Sequence, residues 1–241
     1  MNLIIDIGNS STKYAILDDN TLIATERVEN LSVGIAHEIL HKYSVERSIV
    51  SAVGTIDEEA FEMLSKKIPI LYFSSTTSIP IKNCYATPAT LGADRLAAAV
   101  GANELFPNNN VLSIDSGTAI TYDFVNRKGE YLGGAISPGI TTRLKALHHF
   151  TAKLPEVPFN ENYQLIGKNT QDSILAGVMN GVVNEVDGYI ASLKEKYVDL
   201  LVLFTGGDAF FFEKKLKNSI FVHPNLVILG LNRILNYNAK H

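Results

Sequence analysis

The sequence predicts an α/β protein built as two related lobes that face a cleft, and three observations carry that reading. "LIIDIGNSS", from Leu3, runs an apolar strand directly into Asp6, Gly8 and Asn9. "VLSIDSGTAITYDF", at Val111–Phe124, repeats the plan with Asp115, Gly117 and Thr118. A glycine stands two positions, and a threonine six positions, after each aspartate. Finally, strands and helices follow in the same order in both halves, as an α/β sheet requires. The expected lobes are residues 1–106 and 107–241. A coincidental pair of glycine turns in one ordinary α/β domain is the competing reading.

The elements are read in order. Leu3–Ile7 is a buried strand, Thr12–Asp19 its partner, and Thr21–Asn30 a third strand after the turn Asp18-Asp19-Asn20. Ile35, Ala36, Ile39 and Leu40 have helical spacing within Ile35–Tyr43. "SIVSAVG" returns to strand, Asp57–Lys66 reads as a helix ending in lysines, and "IPILYF" from Ile68 is a short apolar run. Ser74–Gly92 is polar, holds Pro80 and Pro88, and reads as connecting loop with room for a short strand. Ala93–Phe106 is alanine-rich and strongly helical in propensity.

"PNNN" at Pro107–Asn110 then breaks the chain. Val111–Ile114, Thr121–Val125 and Tyr131–Gly139 are the strands that follow, with a turn at Asn126–Gly129. Ile140–Leu147 is a helix with Pro138 near its start. Thr170 is placed to cap a long helix carrying Ile174, Leu175, Val178, Val182, Val186 and Ile190. "LVLFTGG" from Leu201 is a buried strand entering a double glycine. The helix "DAFFFEKKL" and a terminal helix over Leu226–Leu235 complete the chain.

At 241 residues, 46% apolar and 19% charged, the chain has ordinary globular composition and can bury a substantial core. Its net charge of −4, with scattered basic residues, argues against nucleic acid, which demands a concentrated positive surface. Cys84 is alone, so no disulfide framework or cysteine-rich metal cluster is expected. No apolar run approaches membrane-spanning length and Asp6 comes too early for a signal peptide, so a cytoplasmic enzyme or regulator with no membrane partner is expected.

Glycine turns after apolar strands let backbone N–H groups surround an anion, and Ser or Thr hydroxyls add donors. Carboxylates in such turns make sense if a cation sits between carboxylate and phosphate, or if an acceptor hydroxyl needs a base. Neither loop is a Walker A element, "GNSSTK" lacks the glycine register of a dinucleotide fingerprint, and no Gly-x-Ser-x-Gly elbow occurs. "GADR" at Gly92–Arg95 opens the alanine-rich helix. Asp94 there suits either helix-end electrostatics or orientation of a substrate hydroxyl, and Arg95 either a surface ion pair or a fork for a substrate carboxylate. His37 and His41, without further ligands nearby in the pattern, read as surface residues. Phe210–Phe212 reads as core plus partial surface packing.

"DIGNSSTK", "GADR" and "DSGTAIT", in this order, resemble the type III pantothenate kinases. The resemblance extends through "GGAISPGI", Thr170 with its following helix, and "TGGDA" at Thr205–Ala209, and so covers almost the whole chain. It implies duplicated ribonuclease-H-like lobes of the acetate-kinase/sugar-kinase/Hsp70/actin superfamily, with the active-site cleft between them. It also implies ATP-dependent phosphorylation of the terminal hydroxyl of pantothenate, giving 4'-phosphopantothenate, the first step of coenzyme A biosynthesis. Carried residue by residue, Asp6, Ile7, Gly8, Asn9, Ser10, Ser11, Thr12 and Lys13 would surround ATP phosphates, joined by Thr118. Asp94 would accept the proton. Tyr85, Gly92, Ala93, Asp94, Arg95 and Thr170 would form the pantothenate pocket. Asp115 would bind a monovalent cation, potassium or ammonium, while magnesium would accompany ATP. A homodimer is implied, with Thr170 serving a site completed by the neighbouring subunit. Leu96, where many members carry an aromatic residue, and the paired serines of the first loop are small departures. Another small-molecule kinase and a transcription-associated accessory protein of the same family are the alternatives.

Overall fold

Two sheets with the same strand plan order the chain. In this computed structural model, residues 1–8 and 11–239 are described. The first sheet contains β1 (Asn2–Ile7), β2 (Thr12–Asp18), β3 (Thr21–Val28), β4 (Arg47–Ala52) and β5 (Ile70–Tyr72), in the order β3-β2-β1-β4-β5. β1 runs antiparallel to β2 and parallel to β4. Helices α1 (Val33–Lys42) and α2 (Glu58–Ser65) connect them. The Ser32 hydroxyl accepts from the Ile35 N–H and the Asp57 carboxylate from the Ala60 N–H, satisfying donors that each helix start leaves open.

Strand alternation decides what each side chain meets. Leu3, Ile5 and Ile7 pack with Ala36, Ile39, Phe61 and Leu64 in the core beneath α1 and α2. Asn2, Ile4 and Asp6 therefore face the other side. There lie α3 (Ala93–Leu105), after the two-residue β6 (Lys82–Asn83) and a 3₁₀ turn at Pro88–Thr90, and the C-terminal helix, which packs closely on α3.

The second sheet repeats the pattern. It holds β7 (Asn110–Ser116), β8 (Ala119–Val125), β9 (Glu130–Pro138), then, after α4 (Ile140–His149) and α5 (Thr170–Lys196), β10 (Leu200–Gly206). A short α6 (Ala209–Glu213) leads to β11 (Phe221–Val222), and α7 (Leu226–Asn238) closes the chain. The order is β11-β10-β7-β8-β9-β6; apart from the short β6, which pairs parallel with β9, it matches that of the first sheet: a first strand with a hairpin on one side and a parallel strand on the other. Leu112 and Ile114 pack against Val178, Val182 and Phe204, which turns Asp115 to the opposite face with Val111 and Ser113. Ile174, Leu175, Val178, Val182, Val186 and Ile190 are all buried, as their helical spacing predicts.

The chain divides into two compact units, residues 1–107, 129–131 and 225–241 in one, and 108–128 and 132–224 in the other. The expected second lobe over 107–241 is thus corrected at its end, because α7 belongs to the first unit. The reason is backbone contact: a Cβ on Gly230 would lie 1.8 Å from the Ala97 carbonyl oxygen, and one on Gly101 2.5 Å from that of Leu226. Three smaller corrections concern helix ends and a short strand. Asn169, not Thr170, caps α5, its side chain accepting from the Asp172 N–H, and Thr170 is the first helical residue. The "DAFFFEKKL" helix stops at Glu213, and β11 is an additional strand. Phe211 and Phe212 are core while Phe210 is exposed, and His37 and His41 are exposed.

Candidate active site

Asp6 ends β1 on the face that receives α3, and Asp94 lies in the first turn of that helix. The fold brings the two carboxylates together within the first unit. Burial, then the nearby Asp94 charge, push the Asp6 pKa up to about 6; Lys13, the Ser51 hydroxyl and Arg27 oppose the rise. Register explains the neighbours: Asp6 stands opposite Lys13 on β2 and opposite Ser51 on β4. Lys13 thereby lies beside the carboxylate.

The turn after β1 is tight. The Gly8 N–H donates to the Ser11 carbonyl oxygen at 3.0 Å, and a Cβ on Gly54 would come within 2.6 Å of the Gly8 carbonyl oxygen. Thr12 is buried, and Ser11 accepts from the Arg27 guanidinium at 3.2 Å. Ile7 belongs to the core. Asn9 and Ser10 lie outside the described residues.

At the start of α3, Asp94 Oδ1 accepts the Arg95 N–H at 2.8 Å, so one carboxylate oxygen serves the helix end. Gly92 is the N-cap and Ala93 the first helical residue, with no side-chain cap in front of them. Arg95 is 6% exposed, which excludes the surface ion pair considered for it, and its guanidinium lies 5.8 Å from the centre of the Tyr85 ring. Tyr85 also meets Tyr131, ring centres 6.1 Å apart. Asp94, Arg95 and Tyr85 thus form one neighbourhood.

The second unit assembles its own cluster. Asp115 and Thr118 flank the turn after β7. The Thr118 carbonyl accepts from the Gly139 N–H at 3.0 Å and the Thr142 hydroxyl at 2.7 Å, which leaves the Thr118 side chain exposed. A Cβ on Gly206 would lie 2.5 Å from Asp115 Oδ1 and 2.2 Å from the Ser116 carbonyl oxygen; its φ of +90° also suits glycine alone. This oxygen-rich cradle has the chemistry of a hard-cation site. Asp208, which the sequence reading passed over, joins it through a 3.1 Å hydrogen bond from the Ser116 hydroxyl. No spacing in the chain signals that pair. Thr170 stands in this unit too, exposed on a groove of about 800 Å³ between α4 and α5. Among the described residues, no group of three or more His, Cys, Asp or Glu side chains could hold a metal by itself.

The repeated strand order and paired carboxylate–glycine turns give the duplicated α/β fold expected of the acetate-kinase/sugar-kinase/Hsp70/actin superfamily. Solved structures share the fold: a Campylobacter jejuni protein carrying the name of a Baf family transcriptional activator (TM-score 0.63, 22% identity, covering 99% of this chain and 100% of that one). A ROK family glucokinase from Streptomyces griseus, in complex with glucose and AMPPNP, gives a TM-score of 0.52 at 12% identity, with 100% and 99% covered. Sequence is more specific. The type III pantothenate kinase family model matches residues 2–192. Relatives named type III pantothenate kinase are 47% identical in Bacteroides fragilis (99% of this chain, 98% of the relative) and 46% identical in Phocaeicola vulgatus (100% of each). The chain belongs to the type III pantothenate kinase family.

Proposed function

We propose that this chain transfers the γ-phosphoryl group of ATP to the terminal hydroxyl of pantothenate, giving 4'-phosphopantothenate, the first step of coenzyme A biosynthesis. Beyond family membership, the convergence of Asp94 on Asp6 carries the reading, because it sets a potential proton acceptor beside the first phosphate loop. Arg95, buried and stacked near Tyr85, is prepared to fork onto the pantothenate carboxylate.

In the reaction the pantothenate oxygen attacks the γ-phosphorus, the bond from that phosphorus to the β,γ-bridging oxygen breaks, and ADP leaves. Asp94 orients the alcohol and accepts its proton late in transfer. A carboxylate is a far weaker base than an alkoxide, so positioning contributes more than basicity. On this reading the segment from Asp6 to Lys13 would serve the ATP phosphates, and Thr118 would contact ATP from the second loop. Asp6 would hold magnesium, directly or through water. Burial already disfavours its bare charge, so a cation there would offset the cost of keeping the carboxylate ionised. Asp115 would hold potassium or ammonium in the oxygen cradle against Gly206. Such cations neutralise the charge dispersed over the transferring oxygens.

A homodimer and a cytoplasmic location complete the proposal. Phe150, 81% exposed beside the α4–α5 groove, supports association of this face with a second copy. The direct test is product formation by purified protein with ATP, magnesium and pantothenate, in sodium, potassium or ammonium, with hexoses as competing acceptors. Phosphopantothenate is expected only with potassium or ammonium. Phosphorylation of a sugar in its place would overturn the substrate, and equal rates in sodium would overturn the role of Asp115.

A further inference from the structure

Asp208 occupies the N-cap position of α6, where an aspartate ordinarily turns its carboxylate onto the N–H groups of its own helix. It makes no such bond. Its Oδ2 instead accepts from the Ser116 hydroxyl at 3.1 Å, and its backbone N–H donates to the Ser116 carbonyl oxygen at 3.3 Å. Ser116 is fully buried, so a missing partner would leave its hydroxyl unsatisfied. The Asp208 carboxyl is half-buried, and that burial raises its pKa, with only Ser116 opposing the rise. Burial therefore disfavours the charged carboxylate here, and it makes no hydrogen bond to its own helix.

The strand before it explains the geometry. β10 runs parallel to β7 with Thr205 opposite Asp115 and Gly206 opposite Ser116. Gly206, at φ +90°, brings its Cα against Asp115 Oδ1 and the Ser116 carbonyl, closer than any Cβ would permit. The turn after β10 is thus pressed onto the turn after β7, and the two bonds between Asp208 and Ser116 lock them. Ser116 stands between Asp115 and Gly117-Thr118, so the lock sets the residues assigned above to the cation and to ATP.

We propose that Asp208 is a positioning residue for the second phosphate loop, acting through Ser116 to hold Asp115 and Thr118 in register for the nucleotide. This rests on the kinase reading in that the nucleotide is ATP, but its primary test needs no turnover. ATP affinity, with magnesium and potassium present, is measured by titration calorimetry for the parental protein, Ser116→Ala, Asp208→Ala, the double variant and Asp208→Asn, with circular dichroism to check folding. Each alanine variant should weaken ATP binding about 10-fold and the double variant no more than either alone, because both remove one interaction. Asp208→Asn, whose amide oxygen still accepts from Ser116, should recover most of the affinity. In the kinase assay the KM for ATP should rise with that for pantothenate within about twofold.

Parental affinity in Asp208→Ala, additive losses in the double variant, or equal rises in both KM values would overturn the proposal. Should Asp208→Ala fail to fold, Ser116→Ala and Asp208→Asn carry the test: an unchanged Ser116→Ala, or an Asp208→Asn weakened well beyond it, would overturn the proposal. Absence of pantothenate turnover alongside this pattern of ATP affinities would remove the assigned substrate and leave the lock standing.

Discussion

Asp6 combines burial with a neighbouring like charge, and both favour its protonated form. Its folded pKa of about 6 stands above the unbound carboxylate value of 3.8. Between those values the folded chain binds more protons than the unfolded chain. The stabilisation from this group is complete below the lower value and is lost as pH rises through the upper one. At pH 7 that loss is on the order of 3 kcal/mol at most. Asp6→Asn should therefore melt several degrees higher than the parental protein at pH 8 and equally near pH 4, in ligand-free thermal scans, while its kinase activity falls at least about 10-fold. A lower melting point at pH 8 would show that the carboxylate is not held against its own solvation. Asp94→Asn keeps an oxygen for the Arg95 N–H, so its circular dichroism should match the parental trace. Its turnover should drop about 10²- to 10⁴-fold, the usual contribution of a positioned acid–base group. Unchanged turnover would remove Asp94 from the chemistry.

At the scale of elements, α3 and α7 meet through glycine backbone, and that contact sets the platform from which Asp94 projects. Gly230→Ala forces a methyl into the Ala97 carbonyl and should destabilise the protein by about 1–3 kcal/mol or more in urea titrations. Gly188→Ala, in mid-α5 with nothing within 4 Å of the added carbon, is the control. It should be neutral or stabilising by up to about 1 kcal/mol, since alanine is the better helix former. Similar losses at both positions would mean that helix propensity, and not close approach, dominates. The strand ends follow the same logic: β1 and β7 each turn one face to a helical core and the other to an acidic site, because alternate residues point to opposite faces.

For the whole molecule, the C-terminal helix is the element whose removal should matter most to the first unit. A chain ending at Pro224 deprives α3 of its principal helical partner and exposes the Leu226-, Leu231- and Ile234-facing surface. It should be recovered largely as aggregate, whereas the full chain should elute and scatter light as two chains. A soluble, active truncated protein would show that α7 is dispensable. The net charge of −4 is consistent with a small-molecule enzyme, and no helix among the described residues is long and apolar enough to cross a membrane.

Much of this was legible in the chain. Apolar alternation at Leu3–Ile7 and Val111–Ile114, and the four-residue spacing from Ile174 to Ile190, follow from how strands and helices present side chains, which depends on neighbours in sequence alone. The ordered motifs "DIGNSSTK", "GADR" and "DSGTAIT" likewise announced the family. What local pattern does not contain is which distant segments touch. The return of α7 to the first unit depends on Gly101 and Gly230 matching in space, and the burial of Arg95 depends on Tyr85 and on the packing of α3. The Ser116–Asp208 bond joins residues whose intervening chain carries two helices, so only the parallel pairing of β10 with β7 creates it. Sequence determined the elements and the chemistry they carry, because both are local; tertiary structure decided which carboxylates are crowded, desolvated and locked, because those properties arise only from through-space proximity.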